Sequence, residues 1–105
     1  MSKPYWYRQG RKIHLEFLRR ANEVNALMSS QELQRFFALA ITGEAGELAN
    51  LYKKQWRGDK VALKKIVNEM ADVRIYLEHL AAELKVDLDD ACVDKLNEVE
   101  ERLKE

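Results

Sequence analysis

A single proline, Pro4, stands near the start of the 105-residue chain, and beyond it apolar residues recur at helical spacing with nothing to interrupt them. Proline removes a backbone donor and clashes with the preceding turn, so its absence from the rest of the chain leaves helices free to run. No useful stretch alternates apolar and polar residues as a strand would, and no low-complexity linker divides the sequence. The pattern predicts an all-α fold in a single domain over 1–105.

Four helices are expected. The first runs from about Tyr7 or Arg11 to Leu27, with Ile13, Phe17, Leu18, Ala21 and Val24 at helical spacing. Ser29 followed by Glu32 forms a capping box that opens the second, which stops near Gly58. Asp59 then caps the third, which runs to about Lys85. An aspartate within 86–90 caps the fourth and gives its first turn negative charge. A short Arg57-Gly58-Asp59 connection makes the second and third helices antiparallel neighbours, a central hairpin.

That hairpin brings two acidic pairs into range of each other. Glu44 and Glu47 lie in G-E-A-G-E-L, and Glu69 and Asp72 in N-E-M-A-D-V. Each pair is spaced i, i+3, which puts both carboxylates on one helix face. The apolar stripe of the second helix is Leu33, Phe37, Ile41, Leu48 and Leu51, with Glu44 at its centre. On the third helix the stripe is Ile66, Met70, Val73, Leu77, Leu80 and Leu84, with Glu69 at its margin and Asp72 on the side of Tyr76. Carboxylates among apolar neighbours either take up protons or hold cations. Hard oxygen ligands suit Mg²⁺, with Mn²⁺ also accommodated. A solvated helix face is the plainer reading of any single E-x-x-E.

Composition narrows the partners. Eighteen basic and eighteen acidic residues give zero net charge, which excludes a global field for nucleic acid or an anionic membrane. Cys92 is the only cysteine, so there is no internal disulfide framework. The segment from Met1 to Arg11 lacks the apolar core of a secretory signal, and no run is long enough to span a bilayer, so a cytoplasmic protein is expected. Lys53, Lys54 and Arg57, with Lys60, Lys64 and Lys65, form a basic tip beside the acidic pairs. Gly43 and Gly46 inside the second helix each cost about 0.5 to 1 kcal/mol relative to Ala, which points to another helix, of this chain or of a second subunit, packing closely there. One thin helical layer that leaves Phe36 and Phe37 to cover predicts at least a dimer.

Gly43-Glu44-Ala45-Gly46-Glu47 and Glu69-Met70-Ala71-Asp72, with 48–68 as spacer, resemble the E-E-x-x-E … E-x-x-D signature of the all-α nucleoside triphosphate pyrophosphohydrolases, the MazG and dCTP pyrophosphatase family. His14-Leu15-Glu16-Phe17 resembles the H-x-E-F of the dCTP pyrophosphatase branch, and Asp72-Val73-Arg74-Ile75-Tyr76 its D-V-x-x-Y. Val86-Asp87-Leu88, Ala91 and Lys95-Leu96 are similar to its D-L-x-x-A and K-M segment.

The resemblance implies a four-helix MazG-like subunit, assembled as a dimer or tetramer, that hydrolyses a nucleoside triphosphate to the monophosphate and pyrophosphate with Mg²⁺. It implies Glu44, Glu47, Glu69 and Asp72 as metal ligands and Glu47 and Glu44 as the catalytic carboxylates. His14, Trp56, Tyr76, Lys54, Lys95 and Arg102 are the expected substrate contacts, and Trp6 is a further aromatic available to a base. The resemblance offers a pyrimidine nucleotide such as dCTP, or a modified nucleotide cleared from the pool, as the substrate, without carrying over base specificity. The chain departs from the family at Gly43, where the fuller motif has Glu, at Glu23, where the branch carries a base-stacking tryptophan, and at Val99, where Asn is usual. The alternative is a non-catalytic helical nucleotide-binding or protein-interaction module that has lost activity. A ferritin-like di-iron centre is disfavoured, because neither His14 nor His79 has a Glu three residues before it.

Overall fold

The computed structural model describes residues 5–24, 26 and 28–104 and consists of four helices: α1 (Tyr5–Glu23), α2 (Ser30–Trp56), α3 (Leu63–Leu84) and α4 (Leu88–Leu103). No strand occurs among the described residues. No helix is long and apolar enough to cross a membrane.

The helix starts follow local chemistry. Glu32 N–H donates to Ser29 Oγ at 3.2 Å and Ser29 N–H donates to Glu32 Oε1 at 3.1 Å, the reciprocal bonds of a capping box. Those bonds hold the Glu32 carboxyl below its ordinary range. At α4, Asp87 Oδ1 accepts from Asp90 N–H at 3.2 Å. The expected cap of α3 is a correction. Asp59 does not cap it; Asp59 Oδ2 accepts instead from Arg57 Nε at 2.8 Å, and α3 begins only after Ala62, with no side-chain cap. The connection therefore spans 57–62, with Gly58 supplying the turn at φ 102°. The end of α1 also falls earlier than the spacing suggested, at Glu23, and Leu27 lies outside the described residues.

α2 and α3 pack along their length as the antiparallel hairpin, and α1 packs on α3. Phe37, with no exposed surface, is the centre of the core, joined by Leu33, Ile66 and Ala81. Around it Phe17, Phe36, Tyr76, His14 and His79 form one aromatic cluster, the His79 ring stacked on Phe37 at 4.7 Å between centroids. α1 approaches α3 closely where Gly10 meets Glu78: a Cβ on Gly10 would lie 3.1 Å from the Glu78 Cβ. Glu78 is buried there, which pushes its carboxyl up, against the pull of Arg74.

The stripe expected on α3 is another correction. Ile66 is buried, but Met70, Leu77 and Leu84 are exposed. α3 packs on both α2 and α1, so its covered surface turns through Glu69, Tyr76, Glu78, His79 and Ala81, leaving the Met70–Leu77–Leu84 line open. α4 buries no residue and rests mainly on α1.

Candidate metal and nucleotide site

The antiparallel register sets Glu44 of α2 opposite Glu69 of α3. Glu44, Glu47 and Glu69 bring one carboxylate oxygen each within 4.8 Å of the others, the group among the described residues best able to hold a cation. Glu44 and Glu69 are half-buried and Glu47 is exposed, so the cluster has an inner wall and an open side. Glu44 Oε2 and Glu69 Oε2 are buried without a hydrogen-bond partner. A buried carboxylate oxygen with no donor is costly, and a divalent cation is the ligand that three converging oxygens satisfy. The residues present fit the group.

Ionisation reports the same crowding. Burial, with the neighbouring Glu44 and Glu47 carboxylates adding to it, raises the Glu69 carboxyl to about 7. Burial raises Glu44 as well, and the charges of Glu47 and Asp72 add to that. Asp72 is half-buried and close enough to act on Glu44, but it is outside the 4.8 Å triad.

The remaining expected contacts are dispersed. Tyr76, one turn beyond Asp72, is half-buried with its ring 6.3 Å from Phe37 and 6.2 Å from His79. His14 is buried in the core rather than open to a ligand. Its Nε2 meets Glu83 Oε2 at 2.5 Å and its Nδ1 meets His79 Nδ1 at 3.0 Å. With His14 Nε2 on Glu83, one of the two facing Nδ1 atoms donates and the other accepts. Burial, with the His14 charge adding to it, lowers His79 to about 4. Trp56 is almost wholly exposed on the last turn of α2, beside Tyr52, Lys53 and Arg57. Trp6 is engaged by the Arg74 guanidinium, 4.3 Å above its ring. Lys95 bonds Glu98 on α4, and Arg102 is exposed near the end of that helix. Glu23 is ion-paired with Arg19.

Sequence reasoning overlooked His79 and Glu83 as the partners that hold His14. The signal was present: the two are i, i+4 on α3, one turn apart on one face.

The all-helical chain is similar to curated proteins named dCTP pyrophosphatase 1. Over 75 residues the chain is 39% identical to dCTP pyrophosphatase 1 of Mus musculus and, to the same degree, to that of Rattus norvegicus. The matched stretch takes in 60% of this chain, and it spans 41% of the length of each relative. No family model matches the chain.

Proposed function

We propose that this protein hydrolyses a nucleoside triphosphate to its monophosphate and pyrophosphate, with Mg²⁺, or Mn²⁺, held by Glu44, Glu47 and Glu69 and with Asp72 completing the set. The observation that carries the reading is the convergence of three carboxylates within 4.8 Å, two of them with a buried unpartnered oxygen. Similarity to proteins named dCTP pyrophosphatase supports a nucleoside triphosphate as substrate, with a pyrimidine as the base to try first.

A divalent ion bound there neutralises polyphosphate charge and lowers the pKa of bound water. The chain's own groups supply the rest. Glu44 and Glu69 face each other across the hairpin, so their separation is fixed by helix packing rather than by loops. Glu47 is the exposed member, and we assign it the attacking water and its proton. Tyr76, on the same side of α3 as Asp72, offers a hydroxyl to phosphate or sugar. Phe37 and His79 back its ring and limit its movement. The reading includes a homodimer or homotetramer, supported by the open Met70–Leu77–Leu84 line and by the empty space around Gly43 and Gly46.

The test is turnover of a panel of canonical and modified ribo- and deoxynucleoside triphosphates, comparing wild type with Glu47→Gln and Asp72→Asn, each with Mg²⁺ and with chelator. Loss of at least about a hundredfold in rate for Glu47→Gln is expected if it handles the water. Turnover that survives chelation, or that both variants retain, would refute the assignment. Nucleotide binding with no turnover of any substrate would instead favour a module that has lost activity.

A further inference from the structure

Toward the closed end of the hairpin the surface changes sign. A groove of about 370 Å³ there is lined by Lys54, Arg57, Lys60 and Lys65, with Asp59 and Leu51. Four cations face one carboxylate, and that carboxylate is already engaged by Arg57 Nε at 2.8 Å. Lys54, Lys60 and Lys65 make no ion pair among the described residues. Like charges gathered around a concave surface repel one another, and an anion relieves the repulsion.

The groove is aligned with the acidic cluster. Lys54 lies seven residues past Glu47, two turns along the same side of α2. Lys65 lies four residues before Glu69 and seven before Asp72 on the matching side of α3. At 1.5 Å per residue the offsets are about 10 Å on α2 and about 6 Å on α3. Helical side chains lean toward the N-terminus, so on α2 the Lys54 ammonium leans back toward Glu47, while on α3 Lys65 leans toward the hairpin connection. Lys54 is half-buried, which shortens the distance it explores. The hairpin thus carries an acidic cluster and a basic groove in line, one to two turns apart. The complementary ligand is an elongated polyanion, bound through a cation at one end and directly by ammonium and guanidinium groups at the other.

We infer that the groove seats the two terminal phosphates of the triphosphate and holds them as the departing pyrophosphate. The inference rests on the pyrophosphohydrolase reading, and it fixes the direction in which the substrate lies. The α-phosphorus sits at the acidic cluster, the β- and γ-phosphates run toward the hairpin connection, and the nucleoside lies on the Tyr76 side. The water oxygen forms its bond to the α-phosphorus and passes a proton to Glu47. The bond from the α-phosphorus to the α,β-bridging oxygen breaks, and its electron pair leaves on pyrophosphate, where Lys54, Lys65 and Arg57 meet the added charge.

The experiment uses the full chain and a Lys54→Ala, Lys65→Ala double variant. Calorimetric titration with inorganic pyrophosphate, with Mg²⁺ and with chelator, is set beside titration with nucleoside monophosphate and initial-rate kinetics on a triphosphate. Pyrophosphate affinity falls at least about tenfold, KM for triphosphate rises by a similar factor, and monophosphate affinity and Mg²⁺ binding stay at wild-type values. Lys54→Arg, Lys65→Arg restores pyrophosphate binding. A Lys12→Ala, Lys104→Ala variant, which removes the same charge elsewhere, behaves as wild type.

Unchanged pyrophosphate affinity in the double alanine variant overturns the inference. So does an equal loss for monophosphate, or an equal loss in the Lys12, Lys104 control. If no triphosphate is hydrolysed, the pyrophosphohydrolase reading fails on its own, and the pyrophosphate titration still decides whether this groove binds the anion.

Discussion

Glu69 shows how one residue links burial, protonation and metal binding. Its folded-state carboxyl is raised to about 7 by burial and by its two neighbours, so the folded chain takes up a proton there more readily than the unfolded chain does. Stability from this group is therefore present at low pH and is lost as pH rises through the interval up to about 7. Two outcomes follow at pH 8. Without metal, Glu69→Gln melts at a higher temperature than wild type, because it removes a carboxylate that must ionise beside two others. With Mg²⁺ the order reverses, because only wild type gains stability from the ion. Thermal melts of both proteins with Mg²⁺ and with chelator check this, and a variant that gains as much from Mg²⁺ as wild type would contradict it. The spacing of Glu44, Glu47 and Glu69 made their convergence legible in the sequence. The inner position of Glu69 was not, because Met70, Leu77 and Leu84 read as the core stripe of α3 and proved to be exposed. Apolar periodicity marks every apolar face of a helix, including one that no other described residue covers. His14 is the other residue whose surroundings the motif alone does not give. Its role depends on Glu83 and His79, sixty-five and more positions away, and only the packing of α1 on α3 brings them together.

At the scale of elements, the glycines divide by their surroundings. A Cβ at Gly43 or Gly46 meets nothing within 4 Å among the described residues, so Gly43→Ala and Gly46→Ala each stabilise the isolated subunit by about 0.5 to 1 kcal/mol through helix propensity. If a second chain packs there, the same changes weaken assembly, which sedimentation separates from urea unfolding of the subunit. Gly10→Ala goes the other way. Its new methyl meets Glu78 Oε2 at 2.9 Å and Cβ at 3.1 Å, and the overpacking outweighs the propensity gain, for a net loss of about 1 kcal/mol in urea denaturation. Lys85 ends α3 in the left-handed region at φ 58°, where Val86 N–H donates to Ala81 C=O at 3.0 Å. Lys85→Gly removes a side-chain clash in that conformation and raises stability by about 0.5 to 1 kcal/mol, measured the same way. The capping box at Ser29 and the Asp87 cap were both legible, because each needs only residues three apart. The start of α3 was not, because Asp59 had a nearer partner in Arg57 and the turn at Gly58 moved it out of capping range.

For the whole molecule, His79 and Glu69 bend the pH dependence in opposite directions. His79 is lowered to about 4, so folding favours its neutral form, and stability falls as pH drops from the ordinary histidine range toward 4. Glu69 removes stability as pH rises toward 7. The two windows overlap between about pH 4.5 and 6.5, where the slopes oppose each other, so the contributions of these two groups balance at about pH 5.5 in the metal-free protein. His79→Phe flattens the acid limb, and Mg²⁺ lifts the alkaline limb; melts across pH check both, and an acid limb unchanged in His79→Phe would contradict the assignment. The slab is only 24 Å through its thin direction, and an apolar line on α3 and nearly all of α4 stand open. Light scattering at micromolar concentration should therefore report a dimer or larger, and a monomer would contradict that expectation. All-α class, hairpin and helix order were legible in the chain, whereas what covers its open faces was not, since a sequence shows which faces are apolar without showing their occupant. The central claim is that the acidic hairpin cleaves a nucleoside triphosphate between its α- and β-phosphates. Its most direct test is phosphorus NMR of the products formed from a nucleoside triphosphate with Mg²⁺. Monophosphate and pyrophosphate in equal amounts, abolished by chelator, is the result the account predicts; diphosphate with orthophosphate, or an unchanged triphosphate across the nucleotide panel, would contradict it.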